Sequence, residues 1–228
     1  MDNKIEKYKR LYHLVVEEYK KTKYFYFGVF DETFYSLRVY ESAKIIINEL
    51  KKEDKNIKIN EEEVLIASIL HDIGKTKLNT RKVFDKNGIL KNSRLEWHKH
   101  PTKSAEIVEG ILKKEGYDEK FIKDIQYLVG NHASRKNEIE NKSIELKILQ
   151  DADIISDIGF AGFIKFFLYS GEFKKQIIEE IKRSQDADKT SSGKLLNLDI
   201  SKKLAEEEIK IQKYLTNEML KEINSDLL

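Results

Sequence analysis

Between Val64 and Leu70 the chain is apolar on almost every side of a helical wheel, and the run ends on two ionisable residues, His71 and Asp72. A helix that is apolar all round has no face for solvent, so it must be central and wrapped by other elements. Asn60 suits its N-terminal cap, with Glu63 three residues on in a capping-box pattern. Gly74 suits its C-terminal cap. Burying an imidazole beside a carboxylate at the end of such a helix is costly unless something compensates the pair. A divalent metal is the natural compensation, because neutral imidazole and carboxylate suit zinc, manganese, iron, nickel or, less well, magnesium. Taken alone, the dipeptide is better explained by His71 capping its helix and Asp72 bonding nearby backbone; the surrounding sequence reverses that preference.

The rest of the chain reads as helix on the 3.6-residue period, with weak strand signals and no internal repeat. Helices are expected over about residues 3–23 and 32–52, the latter with Leu37, Tyr40, Ala43, Ile47 and Leu50 as its apolar stripe. Pro101 fits the first position of a later helix, with His100 at its cap and an end near Gly116. Asp118 starts the next, to about His132, and Ser143 starts one carrying Asp151, Asp153 and Asp157. Another follows from Phe160, and an amphipathic C-terminal helix spans about residues 204–220. Asn87-Gly88 marks a turn, residues 185–193 a linker, and residues 24–30 an aromatic stretch. The expected fold is all-α: an N-terminal helical extension (residues 1–30), a helical bundle (31–175) and a C-terminal helical segment (176–228).

Composition excludes several classes. With no cysteine, disulfides and thiolate zinc sites are ruled out. A net charge of +2, with 36% of residues charged, makes no case for nucleic acid or a membrane as partner. The polar start and the lack of a long apolar run lead us to expect a soluble, cytoplasmic protein.

The segment Leu70-His71-Asp72-Ile73-Gly74-Lys75 is followed by Asn87-Gly88-Ile89-Leu90, His100-Pro101, Ala105-Glu106-Ile107, His132 and Gln150-Asp151-Ala152-Asp153. This order, over about residues 34–159, resembles the HD superfamily of metal-dependent phosphohydrolases in its HDIG form. The resemblance implies an HD-domain helical bundle with one or two divalent ions. It implies His71 and Asp72 as the signature ligands, His100 and His132 as further histidine ligands, and Asp153 as the closing aspartate. Asp151 and Asp153 point to nearly opposite sides of a helix, so only one can reach a given ion; Asp151 is expected at the surface or behind the ligands. Asp157, one turn beyond Asp153, could orient a water, a ligand or substrate.

Two positions depart from the pattern. The family's first histidine precedes a run like Ser36-Leu37-Arg38-Val39, and Tyr35 stands there. A tyrosine with a pKa near 10 is a weak ligand, and His13 is a remote candidate to replace it. Asn131-His132 stands where the cyclic-di-GMP branch has two histidines, and no Gly-Tyr-Pro follows. The implied chemistry is metal-assisted in-line attack of water on phosphorus. Asp72 and Lys75 are the expected catalytic residues. Lys75, Arg38, Arg81 and Asp157 are expected at the substrate, with Lys77 and Arg94 as weaker phosphate candidates. His98 is expected to face the loop or substrate, and Trp97 to pack.

The implied substrate class is a small phosphate compound, by default a nucleotide, and monoesterase, diesterase and pyrophosphatase activities all stay open. The tail Lys194-Leu195-Leu196 with Ala205-Glu206-Glu207-Glu208 resembles small HD hydrolases of nucleoside triphosphates, but lacks their usual arginine. Two alternatives remain: a degenerate domain that binds a nucleotide or protein without turnover, favoured by Tyr35, and a di-iron, oxygen-activating protein.

Overall fold

The computed structural model describes residues 2–22, 25–26, 31–85, 95–134, 139–172, 181 and 195–223. The expected turn at Asn87-Gly88, most of the aromatic stretch, Arg94, the linker and the boundary at residues 175–176 lie outside them.

Nine α-helices occupy the described residues, with no β-strand among them. They are α1 (Asp2–Lys20), α2 (Glu32–Glu53), α3 (Glu61–Leu70), the one-turn α4 (Thr80–Val83), α5 (His100–Lys114), α6 (Glu119–Asn131), α7 (Ile144–Ser156), α8 (Gly159–Glu172) and α9 (Asp199–Ile223). A 3₁₀ turn, Ile73–Lys77, follows α3, and another, Trp97–Lys99, leads into α5.

The all-round apolar run does what its pattern requires. Every residue from Val64 to Leu70 is buried, and α3 packs against α1, α2, α6 and α7. Each fully buried Leu or Ile there contributes roughly 1.5–3 kcal/mol. One continuous core joins residues from Leu11 on α1 to Ile200 on α9. Helix α9 packs on α8, α2 and α7.

Helix starts follow side-chain caps. Asp31 accepts from Thr33 N (2.8 Å) and Phe34 N (3.4 Å), Asp118 from Phe121 N (2.9 Å) and Ser143 from Leu146 N (3.2 Å). Gly116, at φ +79°, ends α5 in the left-handed conformation that glycine tolerates.

Several expectations need correction. The Asn60 side chain does not cap α3; it bonds the Glu63 carboxylate, while the Asn60 backbone N–H goes to Glu145. Gly74 is not a left-handed cap, because the chain continues into the 3₁₀ turn. Its missing side chain serves a close approach: a Cβ there would collide with His100 O and Ser104 N, and its own N–H donates to Ser104 Oγ at 2.8 Å. His100 is the first helical residue of α5 rather than its cap. Asp157 is the C-cap of α7, not a residue within it. Helix α9 begins at Asp199, one turn earlier than the periodicity indicates.

Candidate metal centre

Three histidines from three helix ends meet Asp72, and each is aimed the same way. His71 Nδ1–H donates to Ser68 O (2.8 Å), His100 Nδ1–H to Trp97 O (2.7 Å) and His132 Nδ1–H to Val129 O (2.7 Å). In every case the acceptor is the carbonyl three residues back, at the end of a helix or 3₁₀ turn. With Nδ1 bonded to backbone, each ring turns its Nε2 towards the cluster, the orientation a ligating histidine needs.

Those Nε2 atoms converge on one carboxylate. His100 Nε2 lies 3.2 Å and His132 Nε2 3.4 Å from Asp72 Oδ1, and the two nitrogens are 3.2 Å apart. His71 Nε2 lies 3.2 Å from Asp72 Oδ2 and 3.4 Å from Asp153 Oδ1. One donor atom each from His71, Asp72 and His132 falls within 4.8 Å of the others. All three histidines and Asp72 are buried, and Asp153 is partly so.

The residues present fit a divalent cation. His71 Nε2 and Asp72 Oδ1 are buried without a hydrogen-bond partner among the described residues, a costly condition that a bound cation relieves. The spacings of 3.2, 3.2 and 3.4 Å among His100, His132 and Asp72 match the edge of about 3.3–3.4 Å between ligands of a tetrahedral ion with bonds near 2.0–2.1 Å. The donor set, imidazole and carboxylate without sulfur, suits zinc, manganese, iron or nickel.

Electrostatics divide the cluster. Burial opposes charge on His71, but Asp72 and Asp153 outweigh it and carry its pKa up to about 10. Burial, with His132 and Lys75 adding to it, brings His100 down to about 4, against the pull of Asp72, so its Nε2 lone pair stays open at neutral pH. Burial alone would raise both carboxylates. Instead Lys75, His71 and His100 hold Asp72 well below the usual range, and His71 brings Asp153 down to about 2.

The surrounding residues fix this geometry. Tyr19, buried on α1, donates to Asp72 O (2.7 Å). Lys75 Nζ lies 2.6 Å from Asp72 Oδ2 and 2.9 Å from Glu32 Oε2, all three groups buried. Tyr35 donates from its hydroxyl to Asp153 Oδ1 (2.7 Å) and Asp153 O (2.8 Å), and its ring packs 5.9 Å from that of His71. Burial and the nearby carboxylates keep this phenol protonated, its pKa well above the usual value. Gln150 donates to Asn131 O (2.8 Å) and Ser134 O (3.0 Å), clamping the turn that carries His132.

The structure therefore gathers His71, Asp72, His100, His132, Asp153 and Lys75. The others lie farther out. Arg38 donates to Ser156 O (3.4 Å) and lines a cavity of about 490 Å³ between α2, α7 and α9, with Phe34, Leu37, Ile155 and Leu204. Arg81 is exposed on α4. Asp157 is exposed and pairs with Lys165 (2.9 Å), whose ammonium sits 3.1 Å above the Tyr35 ring. His13 and His98 are exposed. Trp97 packs on Phe25 and His100. Asp151 is not a surface residue: it is fully buried, and its carboxylate accepts from Asn197 N (2.7 Å), Asn197 Nδ2 (2.8 Å) and Leu198 N (2.9 Å).

Tyr19, Glu32 and Gln150 were missed as supporting residues. Glu32 carries no usable signal, because an acidic residue opening a helix is ordinary dipole complementarity. Gln150, beside the Asp-Ala-Asp run, could have been suspected from its position.

Residues 34–157 match the HD domain family, so the chain belongs to it. Solved structures share the fold at low identity. Bacillus subtilis YpgQ is 18% identical, with 97% of this chain and 98% of that one covered and a TM-score of 0.65. YpgQ has also been solved in complex with ADP (17%, 96% and 98%, TM-score 0.62). A predicted HD superfamily hydrolase from an uncultured Thermotogales bacterium is 19% identical, with 95% and 92% covered and a TM-score of 0.57. An HD-superfamily hydrolase from Bacillus thuringiensis is 19% identical, with 98% and 100% covered and a TM-score of 0.62. No curated protein matches the sequence. Among the described residues no helix is long and apolar enough to cross a membrane.

Proposed function

We propose that this chain is a metal-dependent phosphohydrolase that cleaves a phosphate ester or anhydride of a nucleotide. The carrying observation is the set of three buried histidines, each held at Nδ1 by a carbonyl three residues back, with their Nε2 atoms converging on Asp72. His71, Asp72, His100 and His132 are the proposed donors, with Asp153 beside them. A divalent ion held there supplies an activated water near neutral pH and a Lewis acid for the phosphoryl oxygens.

The chain's own residues do the rest. Lys75 shares its charge between Asp72 and Glu32, which leaves one of its three N–H donors for a phosphoryl oxygen. Tyr19 and Gln150 keep Asp72 and His132 from turning away. Trp97 limits water on the Lys75 side, its ring 5.2 Å from the ammonium. The nucleotide class is supported by the shared fold of YpgQ, which binds ADP.

The test is turnover of nucleoside mono-, di- and triphosphates by chelator-stripped protein reloaded with Mn²⁺ or Zn²⁺. Hydrolysis is expected, reduced on the order of 10²-fold or more in Asp72→Asn. A second reading, nucleotide binding without turnover, is favoured by the Tyr35 hydroxyl bonding Asp153 where a ligating imidazole is expected. Saturable nucleotide binding with no hydrolysis under any ion would establish that reading instead.

A further inference from the structure

The centre is not equally closed on all sides. The side chains of His71, Asp72, His100 and His132 are at most 8% exposed, whereas that of Asp153 is 24% exposed. Among the described residues, the approach from solvent therefore runs past Asp153. Tyr35 stands at that approach, its ring fixed by the hydrogen bonds from its hydroxyl to Asp153 Oδ1 and Asp153 O.

The Tyr35 ring carries a cation. Lys165, on α8, brings its ammonium to 3.1 Å from the ring centroid, and its side chain is only 14% exposed. A lysine on an outer helix ordinarily extends its ammonium into water. This one is laid on an aromatic face, which attracts it. The same ring centroid lies 5.9 Å from the His71 ring and 5.9 Å from the Lys75 ammonium. Lys165 and Lys75 thus stand around one tyrosine, no farther apart than their two distances to it taken together, a span that two linked phosphoryl groups bridge. Their carboxylate partners differ. Lys75 is held by the buried Asp72 and Glu32. Asp157 meets Lys165 at 2.9 Å but is 56% exposed, and it caps the C-terminus of α7, where the negative end of the helix disfavours a carboxylate. So exposed a carboxylate is weakly held, and an incoming anion can take its place.

We propose that Lys165 binds phosphate at the mouth of the centre, that Asp157 holds its ammonium until substrate arrives, and that the substrate carries at least two linked phosphoryl groups, one for Lys75 and one for Lys165. Tyr35, standing where the sequence pattern calls for a histidine, supplies the aromatic face on which Lys165 rests. This rests on the phosphohydrolase reading above and adds to it the class of nucleotide and the residue that selects it.

The experiment is calorimetric titration of the Mn²⁺-loaded full chain with α,β-methylene-ADP, which resists hydrolysis, and with AMP. Wild type is expected to bind the diphosphate about tenfold or more tighter than AMP, the scale of one added charge-assisted contact. Lys165→Met keeps an apolar stem over the ring; it should weaken the diphosphate by about tenfold, hold AMP within about twofold and leave the Mn²⁺ content unchanged. Lys165→Arg should restore most of the diphosphate affinity. Asp157→Asn, at an exposed cap, should tighten the diphosphate by about threefold by removing the competing anion. Equal affinity of wild type for the two nucleotides would overturn the proposal and leave the phosphohydrolase reading standing. So would a Lys165→Met variant that loses both nucleotides alike or neither, or an Asp157→Asn variant that binds more weakly. Failure of the Mn²⁺-loaded wild type to bind either nucleotide would remove both.

Discussion

The behaviour of the centre turns on where single protons sit. At three independent helix ends a histidine Nδ1 donates to the carbonyl three residues back, which gives the three rings the same orientation. His71 differs from the other two because both carboxylates face it, which raises its pKa from 6.5 to about 10. A raised histidine stabilises the metal-free fold fully below pH 6.5, and that contribution is lost as pH rises towards 10. Chelator-stripped protein should therefore lose unfolding free energy between these limits, by up to about 1.4 kcal/mol per pH unit. Asp153, lowered to about 2, acts in the other direction: its contribution is present above pH 3.8 and lost as pH falls to about 2. Urea unfolding across this range measures both arms, and His71→Asn should flatten the alkaline one. The sequence showed His71, His100 and His132 as candidates. It could not show their ring orientations, which depend on the carbonyls that the ends of α3 and α6 and the 3₁₀ turn before α5 place beside each Nδ1.

At the scale of elements, α7 is read on two faces. Asp153 looks towards the histidines, and Asp151, two residues earlier, looks away from them. The opposition was legible from helical geometry, but Asp151's partner was not, because it lies some fifty residues on. Its carboxylate holds Asn197 and Leu198 and so anchors the start of α9. Asn197 also bonds Gln150 (3.2 Å), the residue that clamps the His132 turn. Asp151→Ala would strand buried donors, each charge-assisted bond being worth about 1.5–3 kcal/mol. We expect a loss of about 2–4 kcal/mol in denaturant unfolding and faster amide exchange in the first turn of α9. Exchange confined to residues remote from Asn197 would contradict the anchor.

For the whole molecule, the metal should act as a stabiliser as well as a reagent. A ligand at 100 times its dissociation constant adds about 2.7 kcal/mol, or roughly 5–11 °C in Tm for a chain of this size. Scanning calorimetry with and without Mn²⁺ should show that shift in wild type and its absence in Asp72→Asn. The all-helical class and the central position of α3 were legible in the sequence, because hydrophobic periodicity acts through local spacing, whereas the grouping of His71, Asp72, His100, His132 and Asp153 was legible only through the resemblance of their order to the HD pattern. What the tertiary structure decided involves pairs distant along the chain: Lys75 with Glu32, Tyr19 with Asp72, Tyr35 with Asp153 and Asp151 with Asn197. Each joins a charge or polar group to a partner whose own local surroundings look ordinary. Only when packing removes water from both does the pairing become energetically necessary.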